Sequence, residues 1–257
     1  MNGILIAIDI GNTTTQIGGF ENDHLAFSFR LASTHTRTQD EASLLVRQIL
    51  READLEPTKT AGAVIASVVP VLTPVFQMAV ATACGRQPLI VSHRCNLEIE
   101  LAVPFPEQVG ADRIANAEGF WTEHHSAGIV VDFGTATTFD VISPSGAYIG
   151  GAIAPGLETS AERLSQKGAQ LFKVGFGPPS SAIGHTTEDA LKVGLFYGSV
   201  GAVDEIVRRI KTAMDADPPV IATGGLAEVV AQESQAIQSV DPILTLKGLK
   251  AIFAKNS

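Results

Sequence analysis

Two short stretches of this chain carry the residue types that phosphate chemistry needs. The first is Asp9-Ile10-Gly11-Asn12-Thr13-Thr14-Thr15-Gln16, entered from the β-branched run at 4–8. A carboxylate at a strand end, then glycine and small polar residues, suits a phosphate-binding turn. Gly11 lets backbone N–H groups approach phosphate oxygens, and the Asn and Thr side chains add donors. Asp9 cannot meet phosphate favourably by itself, so its natural partner there is a hydrated divalent cation. A single turn of this kind would read more simply as a polar β-hairpin.

The second stretch, Asp132-Phe133-Gly134-Thr135-Ala136-Thr137-Thr138, repeats the first at one constant offset. At that offset Asp9 meets Asp132, Gly11 meets Gly134, Thr14 meets Thr137 and Thr15 meets Thr138, while Ile6 and Ile8 fall on Ile129 and Val131. A repeat this widely spaced implies two similar domains rather than a short-period solenoid. Two such turns facing each other across a cleft would hold a polyphosphate from both sides.

Three further sites have both a bland and a functional reading. Asp112 and Arg113 fall in the first turn of a helix expected to start near 111. An acidic residue there complements the helix dipole, whereas Arg113 gains nothing from it. Thr187 lies in the helix-start signal Thr186-Thr187-Glu188-Asp189, as a simple cap or as a binding residue. Gly224-Gly225 ends the buried strand at 220–223, where bare backbone suits an adenine ring or ribose, or tight packing.

The elements that must position these residues follow from pattern. Strands are expected at 4–8, 16–20 and 25–31, then a helix opened by the capping box Thr38-Gln39-Asp40-Glu41 and ending near Asp54. Past a turn marked by Pro57, a strand at 63–67, a helix from Pro74 to about 83 and a strand at 89–91 follow. The alternation Leu97-Glu98-Ile99-Glu100-Leu101 reads as a half-exposed strand. From about 126 the hairpin recurs, with a third strand at 147–153 and a helix launched by Pro155-Gly156 through 167. A Gly/Pro-rich loop at 173–181 could order over a ligand. A long apolar segment through 214, the strand at 220–223 and a short strand and helix after Asp241-Pro242 complete the chain. This order suits an α/β protein of two ribonuclease-H-like domains, mixed β-sheets flanked by helices, at 1–118 and 119–257.

Composition removes several classes of function. A net charge of −9 and a pI near 5.1 argue against general binding to nucleic acid or anionic membranes. Residues 60–85 carry no charge and are long enough to span a bilayer, but Pro70 and Pro74 break the run. A strand, a turn and a helix explain it better. The N-terminus enters its strand at once, without a secretory leader. Cys84 and Cys95 lack Cys-x-x-Cys spacing, so both are expected as thiols in the reducing cytoplasm. Cys95 with His93 makes only a two-member metal cluster, and His124-His125 at a helix end need do no more than meet solvent or the dipole.

The two Asp-x-Gly turns with the late Gly-Gly turn resemble the superfamily of acetate and sugar kinases, heat-shock chaperones and actin, and no Walker-type segment occurs. The likeness extends further. Asp9 to Thr13, Ser67-Val68-Val69-Pro70, Gly110-Ala111-Asp112-Arg113, Asp132 to Thr138, Gly150-Gly151-Ala152-Ile153-Ala154-Pro155-Gly156, Thr187 and Ala222-Thr223-Gly224-Gly225 together resemble the type III pantothenate kinases. That resemblance implies phosphorylation of pantothenate by ATP, the first step of coenzyme A synthesis, with ATP in the interdomain cleft. It implies ATP contacts from Asp9, Ile10, Gly11, Asn12, Thr13, Thr14, Thr15, Gln16 and Thr135, with Gly224 and Gly225 under the adenosine. Asp112 matches the proton acceptor, and Val103, Gly110, Ala111, Asp112, Arg113 and Thr187 match substrate-binding positions. Asp132 matches the ligand of a potassium or ammonium ion, used beside Mg²⁺ held through water at Asp9. Family members are homodimers whose pantothenate pocket the neighbouring subunit completes. The family usually has Tyr where this chain has Val103, so either Phe105 supplies the ring or the pocket differs. Two alternatives stand beside this: a kinase of another small hydroxy acid, and an ATP-binding regulatory protein of the same fold.

Overall fold

The computed structural model of the protein describes residues 3–56, 59–167 and 177–257. The Pro57 turn, and the expected 173–181 loop up to 176, lie outside the described residues. The chain divides into two compact units, 1–124 with 244–257, and 125–243.

In the first unit β1 (Ile4–Ile10), β2 (Thr14–Glu21) and β3 (His24–Ala32) form an antiparallel meander. Helix α1 (Gln39–Glu52) leads to β4 (Thr60–Ser67), and α2 (Thr73–Cys84) leads to β5 (Leu89–Ile90). Both of these strands run parallel to β1, giving the order β3-β2-β1-β4-β5. The capping box that opens α1 is present: Glu41 N–H donates to Thr38 Oγ1 at 3.3 Å, and Thr38 N–H donates to Glu41 Oε2 at 2.8 Å. After the two-residue strand β6 (Glu100–Leu101) and a 3-10 turn at Pro106–Gln108, α3 runs from Ala111 to His124.

The second unit repeats the plan. Strands β7 (Gly128–Phe133), β8 (Ala136–Ile142) and β9 (Ala147–Pro155) form the meander. Helices α4 (Leu157–Lys167) and α5 (Thr187–Met214) precede β10 (Val220–Gly224), and α6 (Ala227–Ala231) precedes β11 (Ser239–Val240). Strand β10 pairs parallel to β7, and β11 to β10, so β9-β8-β7-β10-β11 has the same order and senses as the first sheet. Both are ribonuclease-H-like mixed sheets. Phe196, Val200, Val203 and Val207 recur at helical spacing along α5 and pack on Ile129, Val131 and Phe133 of β7.

The chain ends in α7 (Leu244–Asn256), which belongs to the first unit. There the two-residue period of β1 sorts its side chains. Ile6, Ile8 and Ile10 face α1 and α2 through Val46, Leu50, Phe76 and Val80. Leu5 and Ala7 face Ile114 and Ala115 of α3 and Leu246, Leu249 and Ile252 of α7. Sequence pattern places a domain boundary at 118/119, whereas α3 continues unbroken through that point and α7 returns to lie against it.

Two other expectations differ. Residues 97–99 are not strand, because the N–H groups of Glu98 and Ile99 donate to the carboxylate of Glu118 rather than to a neighbouring strand. The uncharged stretch 60–85 is β4, a turn and α2, and among the described residues no helix is long and apolar enough to cross a membrane.

Candidate functional site

Asp9 stands half-buried near the end of β1, and the turn after it closes with Gly11 N–H donating to Thr14 O at 2.9 Å. Ser33, just past β3, braces this turn. Its hydroxyl donates to Gly11 O at 2.6 Å and lies 2.8 Å from Thr15 Oγ1, while its N–H donates to Thr13 O at 2.9 Å. His35 Nε2 lies 3.1 Å from Asn12 O. No motif in the sequence marks Ser33, because its contacts with the turn exist only once β3 pairs with β2.

The Ser67-Val68-Val69-Pro70 turn lies at the same end of the sheet. Asp9 pairs with Ala66 and Ile10 with Ser67 across β1 and β4, and Val68 N–H donates to Ile10 O at 3.1 Å. The Ser67 hydroxyl accepts from Val69 N–H at 3.2 Å and from Thr73 Oγ1 at 2.8 Å, which ties the turn to the start of α2.

Asp112 reaches this end from α3. A side-chain carbon on Gly110 would strike the Asp112 carboxylate and sit 3.5 Å from Val68 Cγ1, so the entry to α3 lies against the Val68 turn. Asp112 Oδ1 accepts from Arg113 N–H at 2.8 Å. Burial pushes the Asp112 carboxyl above the usual carboxylate range, and the Arg113 N–H and guanidinium only partly offset this. That desolvation sets Asp112 apart from a solvated partner of the helix dipole. The structure therefore brings Asp9 to Gln16, Ser67 to Pro70 and Gly110 to Arg113 together within the first unit.

In the second unit Asp132 stands half-buried near the end of β7. Gly134 N–H donates to Ala136 O at 3.1 Å, and Thr159 Oγ1 donates to Thr135 O at 2.7 Å. Strand pairing corrects one detail of the repeat. Ile10 pairs with Thr15 and Phe133 with Thr137, so the second turn is one residue shorter. The true counterpart of Thr15 is Thr137, and both are buried, at 0% and 3% exposure.

Gly224-Gly225 joins this turn directly. Thr223 pairs with Asp132 and Gly224 with Phe133, and Gly225 N–H donates to Phe133 O at 3.1 Å. Gly224 has φ +93, and a Cβ there would sit 2.6 Å from both Asp132 Oδ1 and Phe133 O. Glycine is required by conformation and by space.

Two oxygens converging beside bare backbone make a donor set suited to a hard monovalent cation. Among the described residues no group of three His, Cys, Asp or Glu could hold a metal, so a divalent ion at Asp9 would take most of its ligands from phosphate and water. Both cysteines are free thiols.

Thr186, not Thr187, caps α5: Asp189 N–H donates to Thr186 Oγ1 at 3.1 Å and Thr186 N–H donates to Asp189 Oδ2 at 3.2 Å. Thr187 is the exposed first residue of the helix, so capping does not account for it. Val103 is half-buried, and Phe105, two residues further on, is 59% exposed.

A family model described as type III pantothenate kinase matches residues 5–209. A type III pantothenate kinase of Myxococcus xanthus is 41% identical over 253 residues, covering 98% of this chain and 99% of that protein. One of Dehalococcoides mccartyi is 40% identical over 256 residues, covering 100% and 99%. Among solved structures, the ethanolamine utilization protein EutJ of Carboxydothermus hydrogenoformans superposes with a TM-score of 0.57 at 13% identity, over 96% of this chain and 89% of that one. A ROK family glucokinase of Streptomyces griseus, solved with glucose and AMPPNP, gives 0.52 at 13% identity, over 97% and 98%. At such identities the structural likeness concerns the fold alone.

Proposed function

The chain belongs to the type III pantothenate kinase family, and from that premise we propose how its residues phosphorylate the terminal hydroxyl of pantothenate with ATP. What supports the reading on this chain itself is that Asp112, a base held in a desolvated site, shares one end of one sheet with the Asp9 turn.

Phosphoryl transfer needs positioning and charge neutralisation more than covalent help. Backbone N–H groups and side chains from Asp9, Ile10, Gly11, Asn12, Thr13, Thr14, Thr15 and Gln16, joined by Thr135, hold the phosphates. Gly224 and Gly225 let the adenosine approach bare backbone. Val103, Gly110, Ala111, Arg113 and Thr187 hold pantothenate, Arg113 either orienting Asp112 or pairing with the pantothenate carboxylate. Asp112 takes the hydroxyl proton as that oxygen bonds to the γ-phosphorus, and the bridging oxygen leaves with ADP.

Asp9 would hold Mg²⁺ through water, and Asp132 with Phe133 O would hold K⁺ or NH₄⁺. When bound, these cations offset the negative charge of the triphosphate. A homodimer in the cytoplasm completes the reading, the second subunit closing the pantothenate pocket.

The deciding experiment incubates the purified protein with ATP, Mg²⁺ and pantothenate, with and without potassium, and follows ADP and 4′-phosphopantothenate. Potassium-dependent product is expected, and no turnover of pantothenate overturns the reading. Val103 favours one second reading, a kinase of another hydroxy acid, which turnover confined to another member of a hydroxy-acid panel would establish.

Ser33 gives a narrower test. Ser33→Ala removes both hydroxyl contacts to the Asp9 turn, and at roughly 1 kcal/mol per bond should raise the KM for ATP about fivefold or more. The KM for pantothenate should stay put. Equal changes in both constants would deny the turn its assigned ligand.

A further inference from the structure

We propose that Glu118 is a positioning residue that ties the stem of the pantothenate loop to the helix carrying Asp112; this rests on the functional reading of residues 103–113 given above. Glu118 lies on α3 and is 0% exposed. Its two carboxylate oxygens accept from consecutive backbone N–H groups, Oε1 from Glu98 at 2.8 Å and Oε2 from Ile99 at 3.2 Å. Burying a carboxylate is unfavourable, and an apolar side chain would fill the same space at less cost. What the carboxylate adds is direction: two charge-assisted bonds fix both the place and the orientation of two successive peptide units.

The same segment is held a second time by the end of α7. Asn256 Oδ1 accepts from Asn96 N–H at 2.9 Å, and Asn256 Nδ2 donates to Asn96 O at 2.9 Å. Lys255 Nζ lies 3.3 Å from Glu98 Oε1. Residues 96–99 are thus fastened to two helices, at the cost of the strand that their alternating pattern would otherwise form.

Immediately beyond this stem come β6, Val103, Pro104, the exposed Phe105 and the 3-10 turn, and the chain then re-enters α3 at Ala111. Both ends of the loop are therefore anchored on one helix. Asp112 and Glu118 are six residues apart, about 9 Å along the axis. That rigid spacing fixes the distance between the base and the loop that presents the substrate hydroxyl to it.

The experiment uses the full-length enzyme in two arms. In Glu118→Gln an NH₂ group replaces one acceptor. Hydrogen exchange of the Glu98 and Ile99 amides should quicken, and the KM for pantothenate should rise, both by about tenfold or more, the scale of a hydrogen bond to a charged group. The KM for ATP should not move. Asn256→Ala, at the half-buried end of α7, should shift Asn96 exchange and the pantothenate KM in the same direction by less. It carries the test if Glu118→Gln does not fold. Unchanged exchange, or parallel rises in both KM values, overturns the tether, because a merely structural defect would not choose between substrates. A wild-type enzyme that leaves pantothenate untouched overturns the functional reading instead, and the exchange arm then still decides whether the tether exists.

Discussion

Asp112→Asn should lower pantothenate turnover by about 100- to 10,000-fold, the range that loss of a general base produces. ATP binding, measured by calorimetry, should stay within a few-fold of wild type, since the Asp9 turn is braced by Ser33 and by β4 rather than by Asp112. The pH profile sharpens the test. Burial raises the Asp112 pKa, so the active, ionised base appears only above the ordinary carboxylate range. The acid limb of kcat/KM should therefore lie higher than for an exposed aspartate, and the residual activity of the Asn variant should lack it. Unchanged turnover, or the same limb in the variant, would remove Asp112 from proton transfer.

Linkage gives this substitution a second consequence of opposite sign. A carboxyl whose pKa is raised on folding binds its proton more tightly in the folded chain. Its contribution to stability is therefore present below the unfolded value and lost as pH rises through the folded one. Above its folded pKa the ionised Asp112 is a destabilising group. Asp112→Asn keeps an oxygen to accept the Arg113 N–H and removes the desolvated charge. The inactive variant should then resist urea at least as well as wild type at neutral pH, with the difference vanishing in acid.

Gly248→Ala should destabilise the protein by about 3 kcal/mol, the upper range for overpacking. A Cβ at Gly248 would strike Ala115 O on α3 and lie 3.0 Å from Gly119 N, and one at Gly119 would lie 2.6 Å from Leu244 O. The two helices touch backbone to backbone, so no side chain can rotate away to make room. α3 carries both Asp112 and Glu118, so activity should fall along with the urea midpoint. Gly201→Ala on α5 is the matched control: a Cβ there meets nothing within 4 Å, and the better helix propensity of alanine should be neutral or add up to about 1 kcal/mol. Equal midpoints for the two variants would contradict the close approach of α3 and α7.

By itself the sequence determined whatever depends on neighbours along the chain. The β-branched runs, the Thr38–Glu41 box and the start of α3 are written in local pattern, and they appear where that pattern puts them. The duplicated Asp-x-Gly turns announced two copies of one sheet, because a carboxylate at a strand end followed by glycine and threonines is a local signature. The motifs, through their resemblance to the type III pantothenate kinases, also pointed to the family.

Tertiary structure decided what depends on partners distant in the chain. It matched Thr15 with Thr137 through strand pairing that a constant offset cannot see. It placed Ser33 beneath the Asp9 turn and Gly224 against Asp132. Glu118 overrode the strand pattern at 97–99, because a buried carboxylate must find donors and the Glu98 and Ile99 amides supply them. Local pattern says which face of α7 is apolar but not which sheet that face will cover. The contact between Gly119 and Gly248 fixed that choice, since two helices can approach so closely only where both lack a side chain.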